Sequence, residues 1–160
     1  MNKAWLLTGS NMGERENYLA AARLEIALQC GIVQKVSSVY ETAAWGKTDQ
    51  PAFLNQAIGL ETTLNARQLM RRILKIEKQL GRVREEKYGP RLIDIDILLF
   101  GDEIHNYDLL KLPHPELPNR RFALLPLSEI AGELNHPVLH QSIADLLVAC
   151  PDPLEVKRLS

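Results

Sequence analysis

Apolar residues along this chain switch between two spacings, one suited to strands and one to helices, and their order predicts an architecture. Ala4 to Thr8 is a short apolar strand closed by the turn-forming cluster Gly9-Ser10-Asn11. Between Glu14 and Gln29, Leu19, Ala22, Leu24, Ile26 and Leu28 sit among charged residues, which predicts a helix ending at Gly31. Residues 32–42 are rich in β-branched side chains and serine and form a second strand, and 54–63 a third. The stretch between them carries Gly46, Asp49 and Pro51 and reads as a loop. Asn65 caps a second helix, whose Leu69, Ile73, Ile76 and Leu80 keep one face apolar until Gly81 stops it. A charged loop over 82–91 leads into a fourth strand, 93–100, and a turn at Gly101-Asp102. Residues 110–119 hold three prolines and read as irregular; short helices follow over 122–130 and 143–149.

The resulting order, β-α-β-β-α-β with trailing helices, is that of a ferredoxin-like α+β core with an antiparallel sheet and additional C-terminal helices. Helices are expected on one sheet face, leaving the other free to carry a site. No repeat, low-complexity run or linker divides the chain, so residues 1–160 are expected to form a single domain.

Composition changes this picture little. Hydrophobic residues make up 46% and charged residues 24%, with a formal net charge of −1. There is no overall pull toward nucleic acid or an anionic membrane, so an anion site has to be a local concentration of positive charge. The two cysteines, Cys30 and Cys150, lack metal-ligand spacing and read as reduced thiols, with a disulfide as the alternative. The apolar run at Ala4–Leu7 is too short for a signal segment, and nothing approaches the ~20 apolar residues of a membrane helix. A cytoplasmic monomer is the expectation.

The sharpest chemistry lies in Ile93-Asp94-Ile95-Asp96-Ile97. Alternation along a strand puts Asp94 and Asp96 on one face and the three isoleucines on the other. Carboxylates this close repel one another, and a hard cation such as Mg²⁺ removes that cost; a solvated acidic sheet face is the blander reading. Just upstream, Arg82, Arg84, Lys87 and Arg91 offer donors that match phosphate oxygens, although Glu85 and Glu86 also allow a solvated charge run. Metal-holding acids beside phosphate-holding arginines are what phosphoryl transfer needs. Gly9 to Gly13 lacks the lysine of a phosphate-binding loop and reads as a tight turn. His114, between two prolines, lies near the possible anion donors Lys111, Arg120 and Arg121, whereas His105, His136 and His140 read as surface or structural residues. Trp45, Phe53 and Asn55 would suit a flat heterocycle, by stacking and by paired amide contacts, or they belong to an ordinary core or lid.

Residues 87–98, Lys87-Tyr88-Gly89-Pro90-Arg91-Leu92-Ile93-Asp94-Ile95-Asp96-Ile97-Leu98, resemble the signature of the 6-hydroxymethyl-7,8-dihydropterin pyrophosphokinases. The resemblance extends, in order, over Gly9-Ser10-Asn11, Asp49-Gln50-Pro51, Phe53-Leu54-Asn55, Glu77 with Gly81, Arg82 and Arg84, and Leu112-Pro113-His114-Pro115 with Arg120 and Phe122. It implies diphosphate transfer from ATP to the hydroxymethyl group of the pterin, with two Mg²⁺ ions on Asp94 and Asp96. It places Arg82, Arg91, His114 and Arg120 on ATP phosphates, Arg84 on a closing loop, and Glu77 and the Ile97 backbone beside the nucleoside, with Lys111 a further nucleotide contact. Phe53 and Phe122 would sandwich the pterin, while Asn55 and the backbone from Thr42 through Ala43 to Trp45 read its polar edge. Leu74, Tyr88 and Leu109 depart from what some members carry. A nucleotidyl transferase would share the aspartates and release diphosphate instead of AMP. An RNA-recognition module would share the element order, but it wants exposed aromatics where this chain has Asp94 and Asp96.

Overall fold

The computed structural model describes residues 1–43, 51–81 and 92–159. Its elements in chain order are β1 (Asn2–Ser10), α1 (Arg15–Gln29), β2 (Ile32–Val36), β3 (Tyr40–Thr42), β4 (Phe53–Thr62), α2 (Ala66–Gln79) and β5 (Asp94–Phe100). They continue with β6 (His105–Tyr107), β7 (Leu110–Leu112), a 3₁₀ turn (Leu117–Asn119), α3 (Arg121–Ala131), α4 (Ile143–Val148) and β8 (Val156–Arg158). The main sheet runs β5-β1-β4-β3-β8, with β2 also paired to β4, and every pairing in it is antiparallel. Setting aside β8, this is the strand order of a ferredoxin-like core, as the sequence pattern predicts.

Both long helices form where the apolar spacing puts them. Asn65 closes a capping box at the start of α2: its side chain accepts from the Gln68 N–H at 2.8 Å, and the Gln68 side chain accepts from the Asn65 N–H at 2.9 Å. Gly81, at φ +90°, ends the helix in a conformation that a residue with a Cβ rarely adopts. The buried faces of α1 and α2 pack with Leu6, Ile58, Ile93, Ile95 and Ile97 from the sheet to form one core.

The opposite sheet face is not left free, contrary to the expectation. Leu7, Leu98 and Leu99 meet Leu124 and Leu127 of α3 and Ile143 and Leu146 of α4 in a second core. An antiparallel sheet with apolar side chains on both faces needs a layer on each, and the trailing helices supply the second. Three further details differ from the sequence reading. The second strand is two pieces: at Ser37 the backbone N–H still donates to the Ala57 carbonyl, but the Ala57 N–H donates to the Ser37 hydroxyl, at 2.9 Å, and not to a backbone carbonyl. A short β6–β7 hairpin occupies the start of the proline-rich stretch. A last strand, β8, pairs with β3.

β1 also runs two residues beyond its predicted end. Gly9 and Ser10 are strand residues, paired with Asn55 and Leu54 of β4, and not a turn. The glycine is needed for close approach: a Cβ there would lie 2.6 Å from Asn55 Nδ2.

Candidate active site

Paired residues of adjacent strands share a face, so the register decides which side chains can meet. Asn55 pairs with Tyr40 on β3 and with Gly9 on β1, and Gly9 pairs with Asp94 on β5. One row thus runs Tyr40, Asn55, Gly9, Asp94 across four strands. Two residues along each strand, Thr42 pairs with Phe53, and Asp96 pairs with Leu7, which lies in the α3–α4 core. Thr42, Phe53, Asn55, Asp94 and Asp96 therefore occupy one sheet face, the one α3 and α4 partly cover.

Asp94 and Asp96 are half-buried, while Ile93, Ile95 and Ile97 are sealed against α1 and α2, as strand alternation requires. Between the two acids, the Ile95 N–H donates to Glu77 Oε2 at 2.8 Å. Glu77 is buried at 3% exposure on α2, so the helix grips the strand at the point where the acids project. Among the described residues no cluster of three or more His, Cys, Asp or Glu could cage a metal. Two half-open carboxylates fit Mg²⁺, which completes its shell with water and substrate phosphate, better than a metal held entirely by protein.

Asn55 lies across β1 where Gly9 has no side chain, and its Nδ2 donates to the Thr8 carbonyl at 3.2 Å. Its Oδ1 is buried with no partner among the described residues. A buried, unsatisfied amide oxygen is costly, and a ligand donor over the sheet would relieve it. Phe53, half-buried, begins β4; Thr42, buried, ends β3, and Ala43, exposed, follows it.

α3 brings the other wall. Arg120 stands at its N-cap with its guanidinium 5.6 Å from the centre of the Phe122 ring, a cation–π arrangement. The Arg120 Nε is buried without a partner among the described residues, a second orphaned group.

His114 reaches β5 through its backbone, whose N–H donates to the Leu98 carbonyl at 2.9 Å. Its Nδ1 accepts from the Glu116 N–H at 3.1 Å, which leaves the proton of the neutral ring on Nε2. Burial of the ring, with the Arg120 charge beside it, pushes His114 down to about 4 against the opposing pull of Asp94 and Glu116. At neutral pH it is an uncharged donor. Ile97 is buried with its backbone in the β1 ladder, and Lys111 is exposed on β7. Leu74 and Leu109 are both exposed. Trp45, Arg82, Arg84 and Arg91 lie outside the described residues.

Two supporting residues have contacts that the sequence does not announce: Arg15 carries no signal there, and Asn11 enters only with the Gly9-Ser10-Asn11 cluster. Arg15 Nη1 donates to Glu41 Oε2 at 3.0 Å and to the Ala52 carbonyl at 2.9 Å, and Asn11 Nδ2 donates to the Pro51 carbonyl at 3.1 Å. They hold the approach to Phe53, and only the folded register brings them there.

A ferredoxin-like sheet with paired acids, an open amide and aromatic rings on one face describes a small-molecule enzyme, and comparison with known proteins narrows it. The model of the 7,8-dihydro-6-hydroxymethylpterin-pyrophosphokinase (HPPK) family matches residues 5–132. The 2-amino-4-hydroxy-6-hydroxymethyldihydropteridine pyrophosphokinase of Aquifex aeolicus is 42% identical over 147 residues, covering 91% of this chain and 90% of that protein. That of Bacillus subtilis is 43% identical over 134 residues, covering 83% and 80%. The chain belongs to the HPPK family. The crystal structure of wild-type Plasmodium falciparum HPPK-DHPS with pterin and p-hydroxybenzoate shares the fold, with a TM-score of 0.73 at 18% identity. It matches over 92% of this chain and 41% of that longer one.

Proposed function

We propose that the face carrying Thr42, Phe53, Asn55, Asp94 and Asp96 is where this chain transfers diphosphate. The chain is an ATP-dependent pyrophosphokinase of folate biosynthesis. The hydroxyl of 6-hydroxymethyl-7,8-dihydropterin forms a bond to the β-phosphorus of ATP, the bond from that phosphorus to the α-phosphate oxygen breaks, and AMP leaves.

The observation that carries the assignment of this face is the unpaired Oδ1 of Asn55, held beside Gly9 in the same row as Asp94. Asn55 reads the polar edge of the pterin through that oxygen, together with the backbone of Thr42 and Ala43 and the loop at Trp45. Phe53 and Phe122 clamp the ring, which sets the hydroxymethyl group toward the aspartates. Two Mg²⁺ ions at Asp94 and Asp96, when bound, neutralise triphosphate charge. Arg82, Arg91 and Arg120 bind phosphate oxygens, Arg84 joins them on closure, and neutral His114 donates from Nε2. Lys111 adds positive charge. The Ile97 backbone flanks the nucleoside, and Glu77 reaches that side of the site from α2 while holding Ile95. No covalent intermediate is needed: placement and charge neutralisation suffice for a neutral alcohol. The reading extends to one domain over residues 1–160, acting as a cytoplasmic monomer on these two small molecules.

The direct test is to incubate the protein with ATP, Mg²⁺ and the pterin alcohol and identify the nucleotide product. AMP should appear in step with a pterin diphosphate and only with divalent metal. ADP with a monophosphorylated pterin, or free diphosphate with a nucleotidylated one, would reject the reaction.

A further inference from the structure

Residues 150–158 lie beyond the 5–132 stretch that matches the family, yet they tie together the two walls of the proposed pterin site. The first tie is at the start of α3. The Arg120 side chain makes no cap bond there; instead Asp152 Oδ2 accepts from the Arg121 N–H at 3.1 Å. A carboxylate at this end of a helix also meets the favourable end of its dipole. Arg121 returns the contact, donating from Nη2 to the Cys150 carbonyl and from Nε and Nη2 to the Asp152 carbonyl at 3.2–3.3 Å. Asp152 is buried at 3% exposure, and its other oxygen accepts from the Leu154 N–H at 3.0 Å. Arg121 sits between Arg120 and Phe122, so this lock fixes the backbone from which both project.

The second tie follows within three residues. The Glu155 carbonyl accepts from Thr42 Oγ1 at 3.0 Å, and β8 pairs with β3 in the register Thr42 to Val156 and Tyr40 to Arg158. Past the strand, the Leu159 N–H donates to the Val39 carbonyl at 2.9 Å. The far end of α3 is held separately, by Glu129 accepting from Tyr40 and Ser38. Among the described residues, the C-terminal segment is hydrogen-bonded both to the Phe122 end of the helix and to the Thr42 end of β3.

We propose that Asp152 and Arg121, with β8, are positioning elements that set the separation between Phe122 and the Thr42–Ala43 backbone, and so govern pterin affinity. This rests on the reading that these walls hold the pterin. The metal groups and His114 project from β5 and the segment before the 3₁₀ turn, which this brace does not touch; Arg120 is the one described phosphate group beside it, so ATP affinity depends on the brace less than pterin affinity does.

The test compares wild type, Asp152→Ala, Asp152→Asn and a chain ending at Leu154, which loses β8 and, among the described residues, only exposed or half-exposed ones. Pterin and ATP dissociation constants are read by calorimetry, alongside both KM values. Asp152→Ala and the shortened chain should each weaken pterin binding by about tenfold, with a smaller loss of ATP affinity through Arg120, and Asp152→Asn should recover part of the loss, because one amide oxygen replaces two accepting carboxylate oxygens. A purely structural role would lower the amount of active enzyme and leave both KM values alone. Unchanged pterin affinity in the shortened chain and in Asp152→Ala, or equal losses for pterin and ATP, would overturn the brace while leaving the site assignment standing. A wild-type chain that binds no pterin would overturn both.

Discussion

Asn55 Nδ2 lies where a Cβ on residue 9 would be only 2.6 Å away, so the amide on β4 occupies space that exists because β1 carries a glycine there. Adding the Cβ displaces the end of a flexible side chain and not backbone, so the fold should absorb it while the site does not. Gly9→Ala is expected to shift the urea midpoint little and to weaken pterin binding by about 1–3 kcal/mol, the range for a lost buried hydrogen-bonding group. Parallel denaturation and calorimetry check this. A large stability loss with pterin affinity intact would assign Gly9 to the core.

The two rings should act on one substrate only. Phe53→Ala and Phe122→Ala are each expected to weaken pterin binding by roughly 1–3 kcal/mol, as stacking on a flat heterocycle is worth elsewhere. ATP affinity should stay within about twofold. Equal losses for both substrates would mean that the rings serve the core that Phe122 borders.

Much of this was legible before folding. The helical stripes of α1 and α2, the Asn65 cap, the Gly81 stop and the alternation at Asp94 and Asp96 are local, and periodicity with capping chemistry reads them directly. The pairing of Gly9 with Asn55 is not, because it depends on a register set between residues 46 apart in sequence. Gly9 therefore looked like a turn residue. β8 escaped for a related reason: Val156-Lys157-Arg158 has no periodicity of its own and is a strand only because the edge of β3 is there to accept it. The second helical layer is a tertiary consequence: α3 and α4 are short, and what places them is the need to cover Leu7 and Leu99.

His136 should make stability fall in acid. It is buried, and its Nδ1 accepts from the Val138 and Leu139 N–H groups at 3.2 and 3.0 Å, which only the neutral ring can do. Burial first, and the nearby His140 second, hold its pKa below the ordinary 6.5. A folded value below the unfolded one means that this contribution is complete above the ordinary value and is lost as pH falls through the folded one. Between pH 7.5 and about 5, wild type should lose more urea stability than His136→Asn, whose amide oxygen accepts at every pH. Equal slopes for the two proteins would show that His136 does not carry the effect.

The most direct measurement is a single-turnover assay of Asp94→Ala and Asp96→Ala, paired with pterin and Mg²⁺·ATP binding by calorimetry. Removing either carboxylate relieves repulsion within the apo site, so both variants should fold and bind pterin within about twofold of wild type. Release of AMP should nearly cease in both, and binding of Mg²⁺·ATP should weaken, because the groups proposed to hold the metal are gone. AMP formation at the wild-type rate in both variants would contradict the assignment of this sheet face as the place where diphosphate is transferred.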